Sequence, residues 1–88
     1  MQGREDLKRL IALHPEMVPW PELDRLLLAY GFEGKIRGWH CVYVLGPWQI
    51  TVPITRPYVH MYFVRQVLRI LDQVDQQRAQ KYTENSAA

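Results

Sequence analysis

Proton transfer at a phosphodiester is the chemistry that the residue types of this 88-residue chain allow, and it centres on His40. The histidine lies in Gly38-Trp39-His40-Cys41-Val42-Tyr43, a strand-forming run opened by a glycine. A neutral imidazole near pH 7 can take the proton of a ribose 2′-hydroxyl, and the freed oxygen then attacks the adjacent phosphorus. Lys35, Arg37 and Arg56 are the bases available to stabilise charge developing on the phosphoryl oxygens, while Tyr43 and His60 are the candidates for protonating the leaving oxygen. The route needs no metal and no other cofactor. On spacing alone, the favoured reading of His40 is a strand histidine satisfied by a backbone carbonyl. Cys41 and His40 are adjacent in a strand, so their side chains diverge and the thiol reads as a small buried hydrophobe, not a nucleophile.

Charge is distributed more tellingly than its net value of +2 suggests. From Gly34 to Leu71 there is no Asp or Glu, while Lys35, Arg37, Arg56, Arg65 and Arg69 all fall in that window. A positive surface of this kind suits RNA phosphates or an acidic protein, and Arg65 and Arg69, four residues apart, form a possible phosphate clamp on a helix. The same window disfavours a magnesium nuclease, which holds its ions with carboxylates near the reacting phosphate. Trp39 and Tyr43 are candidates for stacking on bases, although a strand tryptophan is more commonly packed in the core. A single cysteine rules out an internal disulfide, the first residues are unlike a signal peptide, and the apolar runs are only a few residues long. A cytoplasmic protein with no membrane partner is expected.

Periodicity supplies the elements that position these residues. A helix over 4–14 carries Leu7, Leu10, Ile11 and His14 on one face and stops at Pro15. After the stiff Val18-Pro19-Trp20-Pro21 connector, a second helix presents Leu23, Leu26, Leu27 and Tyr30 at core spacing and ends at Gly31. Phe32 to Arg37 reads as a first strand, with Lys35 and Arg37 on one side and Ile36 on the other. The next strand puts His40, Val42 and Val44 on one face and Trp39, Cys41, Tyr43 and Leu45 on the other. Because both faces contain apolar groups, both are expected to be covered. Gly46-Pro47-Trp48 turns the chain into Ile50-Thr51-Val52-Pro53, and a final helix starts at Val59 or His60 and runs into the late seventies.

Gly31-Phe32, then Gly38, His40 and Tyr43, then Thr51-Val52-Pro53, then Val67, Leu68, Ile70 and Leu71 follow one another in an order that resembles the HicA family of toxins. The resemblance spans roughly residues 20 to 74, with Trp39 where the family usually has a small serine, and Ile54 to Val59 in place of a Lys/Gly-rich loop. It implies an α+β fold, a double-stranded-RNA-binding-domain-like α-β-β-β-α sandwich, preceded here by one extra N-terminal helix. The corresponding division is 1–18 as helical extension, 19–80 as HicA-like domain and 81–88 as disordered tail. It also implies a toxin of a type II toxin-antitoxin pair, a metal-independent endoribonuclease cleaving mRNA with His40 as the catalytic residue. Lys35, Arg37, Arg56, Arg65, Arg69, Trp39 and Tyr43 would then contact RNA, and a HicB-like antitoxin would be the protein partner. The alternative is a non-catalytic RNA- or protein-binding module of the same fold. A homodimer through the N-terminal helix is a further possibility.

Overall fold

Leucines and valines at helical spacing on either side of a short, alternating hairpin region generate an α+β fold. The computed structural model describes the backbone of residues 3–87 and side chains through Lys81. Its elements run α1 (Arg4–Leu13), α2 (Trp20–Ala29), β1 (Glu33–Arg37), β2 (His40–Leu45), β3 (Trp48–Pro53) and α3 (Met61–Ala87). The strands form one antiparallel sheet in the order β1-β2-β3. α3 runs through 81–87, over most of the stretch expected as a disordered tail, while Ala88 and the side chains beyond Lys81 lie outside the described residues.

Both hairpins close through two-residue turns, Gly38-Trp39 between Arg37 and His40, and Gly46-Pro47 between Leu45 and Trp48. Gly38 has φ +61°, the left-handed value that a two-residue hairpin needs at its first central position. The turns fix the register, and the register decides which side chains share a face. Glu33, Lys35 and Arg37 align with Val44, Val42 and His40, which align in turn with Gln49, Thr51 and Pro53. The other face carries Cys41, Tyr43, Ile50 and Val52, all buried against the helices.

That buried face meets Leu23, Leu26 and Leu27 of α2 and Val64, Val67, Leu71 and Val74 of α3, each at most 1 % exposed. The leucine stripe of the second helix is therefore core, as its spacing predicts. Among the described residues only one face of the sheet is covered, contrary to the expectation drawn from its two apolar faces. Both helices lie on the Tyr43 side, and His40 and Val44 are exposed while Val42 is half-buried. Two valines among charged neighbours are an ordinary composition for a solvated face of an antiparallel sheet.

Helix α1 packs on the helical layer. Leu7 and Ile11 are buried there, whereas Leu10 and His14, expected on the same face, remain exposed. Lys8 is the pin, donating to Asp72 and, at 3.0 Å, to Asp75 of α3. Asp75 also accepts from the Tyr30 hydroxyl at 2.8 Å, and Arg78 donates to the Tyr30 carbonyl at 2.8 Å. The guanidinium of Arg4 lies 5.1 Å from the Tyr30 ring centroid, so cation, ring and carboxylate interlock at the junction of the three helices.

Burial raises the Tyr30 phenol to about 12, assisted by its bond to Asp75. For Lys8, burial acts to lower the pKa, but the bonds to Asp72 and Asp75 outweigh it and leave it raised.

Candidate nucleic-acid interface

Strand register assembles the candidate site on the open face of the sheet. Arg37 and His40 are direct cross-strand partners at the mouth of the first hairpin, and Pro53 is the partner of His40 on its other side. Directly opposed residues have Cβ atoms about 5 Å apart, and Lys35, on the diagonal, lies within reach of a long side chain. His40 is exposed and its imidazole takes no hydrogen bond among the described residues, so the carbonyl-satisfied histidine is not what the fold presents. Lys35 and Arg37 likewise form no ion pair among the described residues. Lys35, Arg37, Val42, Val44 and Glu33 line a shallow groove of about 330 Å³, a positive strip with a carboxylate at its far end.

Trp39 departs from the packed position expected of it. It occupies the second place of the two-residue turn, outside the strand, and is 82 % exposed. The turn projects the indole into solvent beside His40, while the Trp39 carbonyl accepts the Ile54 N–H at 2.7 Å and ties the turn to the end of β3. An exposed ring next to unpaired bases is the arrangement in which an aromatic stacks on an unpaired nucleobase.

Tyr43 is withdrawn from that surface. It is fully buried on the helix-facing side of the sheet, and its hydroxyl donates to Asp24 Oδ1 at 2.7 Å. Burial, with the neighbouring Cys41 thiol and the bond to Asp24, pushes its pKa well up. A phenol so placed neither stacks on RNA nor delivers a proton to a group beside His40. Gly34 belongs to the same packing, since a Cβ there would come within 2.9 Å of the Tyr43 ring. A glycine inside a strand pattern was the available sign of close approach, whereas Asp24 gave no sign at all.

The remaining bases are dispersed. Arg56 lines a cleft of about 640 Å³ with Trp20, Pro21, Ile54, Thr55 and Pro57. Arg65 and Arg69 line another with His60, Tyr62 and Gln66. Because Val64, Val67 and Leu71 turn inward, the helical period puts Arg65 and Arg69 on the outer side of α3, a helix diameter of about 10 Å beyond the sheet. His60 is occupied as a helix cap, its Nδ1 accepting the Tyr62 N–H at 3.0 Å. Of the sequence-derived set, the fold thus unites His40, Lys35, Arg37 and Trp39.

No group of three or more His, Cys, Asp or Glu side chains suited to a metal occurs among the described residues. Nor, among them, is any helix long and apolar enough to cross a membrane. No known family model, curated protein or solved structure matches the chain.

Proposed function

We propose that this chain is a HicA-like ribonuclease, a toxin whose 19–80 region is a double-stranded-RNA-binding-domain-like sandwich and whose open sheet face receives single-stranded mRNA in the cytoplasm. The observation that carries the reading is the pairing of an exposed His40 with Arg37 on a face where, among the described residues, the imidazole has no hydrogen bond and the bases have no ion-pair partners. In this mechanism His40 accepts the 2′-hydroxyl proton, the 2′-oxygen attacks phosphorus, and the bond to the 5′-oxygen breaks. The leaving 5′-oxygen takes its proton from water, since Tyr43 is buried and His60 caps α3. Arg37 and Lys35 stabilise the extra charge on the phosphoryl oxygens, and Trp39 stacks on a flanking base. The products are a 2′,3′-cyclic phosphate and a 5′-hydroxyl.

Replacing the 2′-hydroxyl at the scissile position by hydrogen tests the mechanism. Such an RNA should bind but resist cleavage, and an intact cleavage rate would contradict the assignment of the 2′-oxygen as nucleophile. A HicB-like antitoxin would silence the enzyme by covering the same face, with acidic groups on Lys35 and Arg37 and apolar groups on Val42 and Val44.

The second reading, a binding module without catalysis, is favoured by one feature: among the described residues no second histidine or tyrosine stands beside His40. It predicts that RNA is bound and left whole by wild type and by His40→Ala alike.

A further inference from the structure

β1 is an edge of the sheet, and all five of its residues are exposed. Arg37 and His40 flank a two-residue turn, so Glu33, Lys35 and Arg37 direct their backbone groups to β2, and Gly34 and Ile36 direct theirs outward. Those outward groups have no partner among the described residues. An unpaired edge of this kind templates another strand unless the sequence opposes it.

Here the sequence favours one particular strand, its own. Laid antiparallel on a second copy with Lys35 on the two-fold axis, Glu33-Gly34-Lys35-Ile36-Arg37 sets Glu33 opposite Arg37 twice and Gly34 opposite Ile36 twice. The outward groups of Gly34 and Ile36 then satisfy one another across the axis. Ile36, 65 % exposed in the single chain, covers the bare backbone of Gly34, where the Tyr43 ring leaves no room for a side chain. Against this stands one like-charged pair, Lys35 with its copy, whose side chains extend into solvent on the open face. Two opposite-charge pairs outnumber it. Of the neighbouring registers, the one centred on Ile36 opposes Lys35 to Arg37, and the one centred on Gly34 sets Glu33 opposite Lys35 twice but carries Ile36 and Arg37 beyond the end of the strand, so that three residues of each chain pair in place of five. β3, the other edge, has no charged residue to specify a register and ends in Pro53.

We propose that β1 is a self-complementary docking edge through which two copies of this chain join into one six-stranded antiparallel sheet. The symmetry is closed, with the same five residues given by each chain. Both helical layers lie on one side and both His40 residues on the other, roughly 20 Å apart on the usual strand spacing and rise. This pairing shares Lys35 and Arg37 with the open face, where each Arg37 then lies between its own His40 and the Glu33 of the other copy, and it uses β1 in place of the N-terminal helix as the contact between copies.

Cross-linking and charge exchange test it on the full chain. Lys35→Cys puts two thiols across the axis as a non-hydrogen-bonded pair with Cα atoms about 4.5 Å apart, inside the range a disulfide spans. It should cross-link to itself on the order of tenfold faster than Gln49→Cys, which lies on the same face but on β3. Light scattering of the unmodified chain at high concentration should approach twice the 10.5 kDa of one chain. Glu33→Arg or Arg37→Glu alone should return it to one chain, and the two together should restore the pair. A mass that stays at one chain, or Lys35→Cys cross-linking no faster than Gln49→Cys, would overturn the proposal.

Discussion

At the scale of single residues, two positions show how a strand's period separates function from structure. His40 and Tyr43 are three apart in one strand, hence on opposite faces, and the sequence contains that fact. What it does not contain is which face the helices take, because Val42 and Val44 make the open face look as coverable as the other. Tyr43 is accordingly a structural residue whose hydroxyl bonds a carboxylate. Tyr43→Phe should destabilise the fold by about 1–3 kcal/mol in urea melts, the usual loss for a hydrogen bond to a charged group, because Asp24 loses its donor. It should leave RNA cleavage by the folded protein unchanged, and lost cleavage at full folding would return Tyr43 to the site. Trp39 shows the opposite case. As the first residue of the strand after Gly38 it belongs in the core, whereas the two-residue turn takes it out of the strand and into solvent. Trp39→Ala should weaken binding of single-stranded RNA by about 1–3 kcal/mol, the range for one stacked base, without affecting stability, as measured by titration and melting in parallel.

Among the elements, the two core helices and the hairpin strands were legible because their periods are clean: Leu23, Leu26 and Leu27, then Val64, Val67 and Leu71. Helix α1 was legible as a helix but not as to where it packs, since the decisive contacts join Lys8 to carboxylates more than sixty positions away. Its two inward residues are used by its own chain, on the helical layer. Ile11→Ala should therefore cost about 2–4 kcal/mol, as buried large-to-small changes do, and should not raise RNA cleavage. A gain in cleavage on removing this contact would mean that α1 restrains the site.

For the whole molecule, the junction of the three helices makes an alkaline prediction. Tyr30 has its pKa raised from 10.0 to about 12 in the fold, so the unfolded chain releases this proton first as pH rises. Lys8 is also raised from 10.5, and it acts in the same direction. Stability is thus fully present below about pH 10 and falls as pH climbs toward 12. Urea melts at rising pH should show that decline, and Tyr30→Phe should reduce it. An unchanged slope in Tyr30→Phe would place the titration elsewhere. The charge pattern read from the sequence, five bases in a carboxylate-free window, is real, but folding distributes it over three surfaces. Arg65 and Arg69 share a helix face with each other and not with His40, a separation that only the inward turn of Val64, Val67 and Leu71 fixes.

The proposed role of His40 is tested most directly by cleavage of a long single-stranded RNA in EDTA by the purified chain and by His40→Ala. The variant must be matched to wild type by circular dichroism and RNA affinity. A general base contributes about 10²–10⁴-fold to a rate, so wild type should cut and the variant should lose activity by that factor with its binding intact. Equal cutting by both, or an uncut RNA bound equally by both, would contradict a histidine ribonuclease, and the second result would leave the open face as a binding surface.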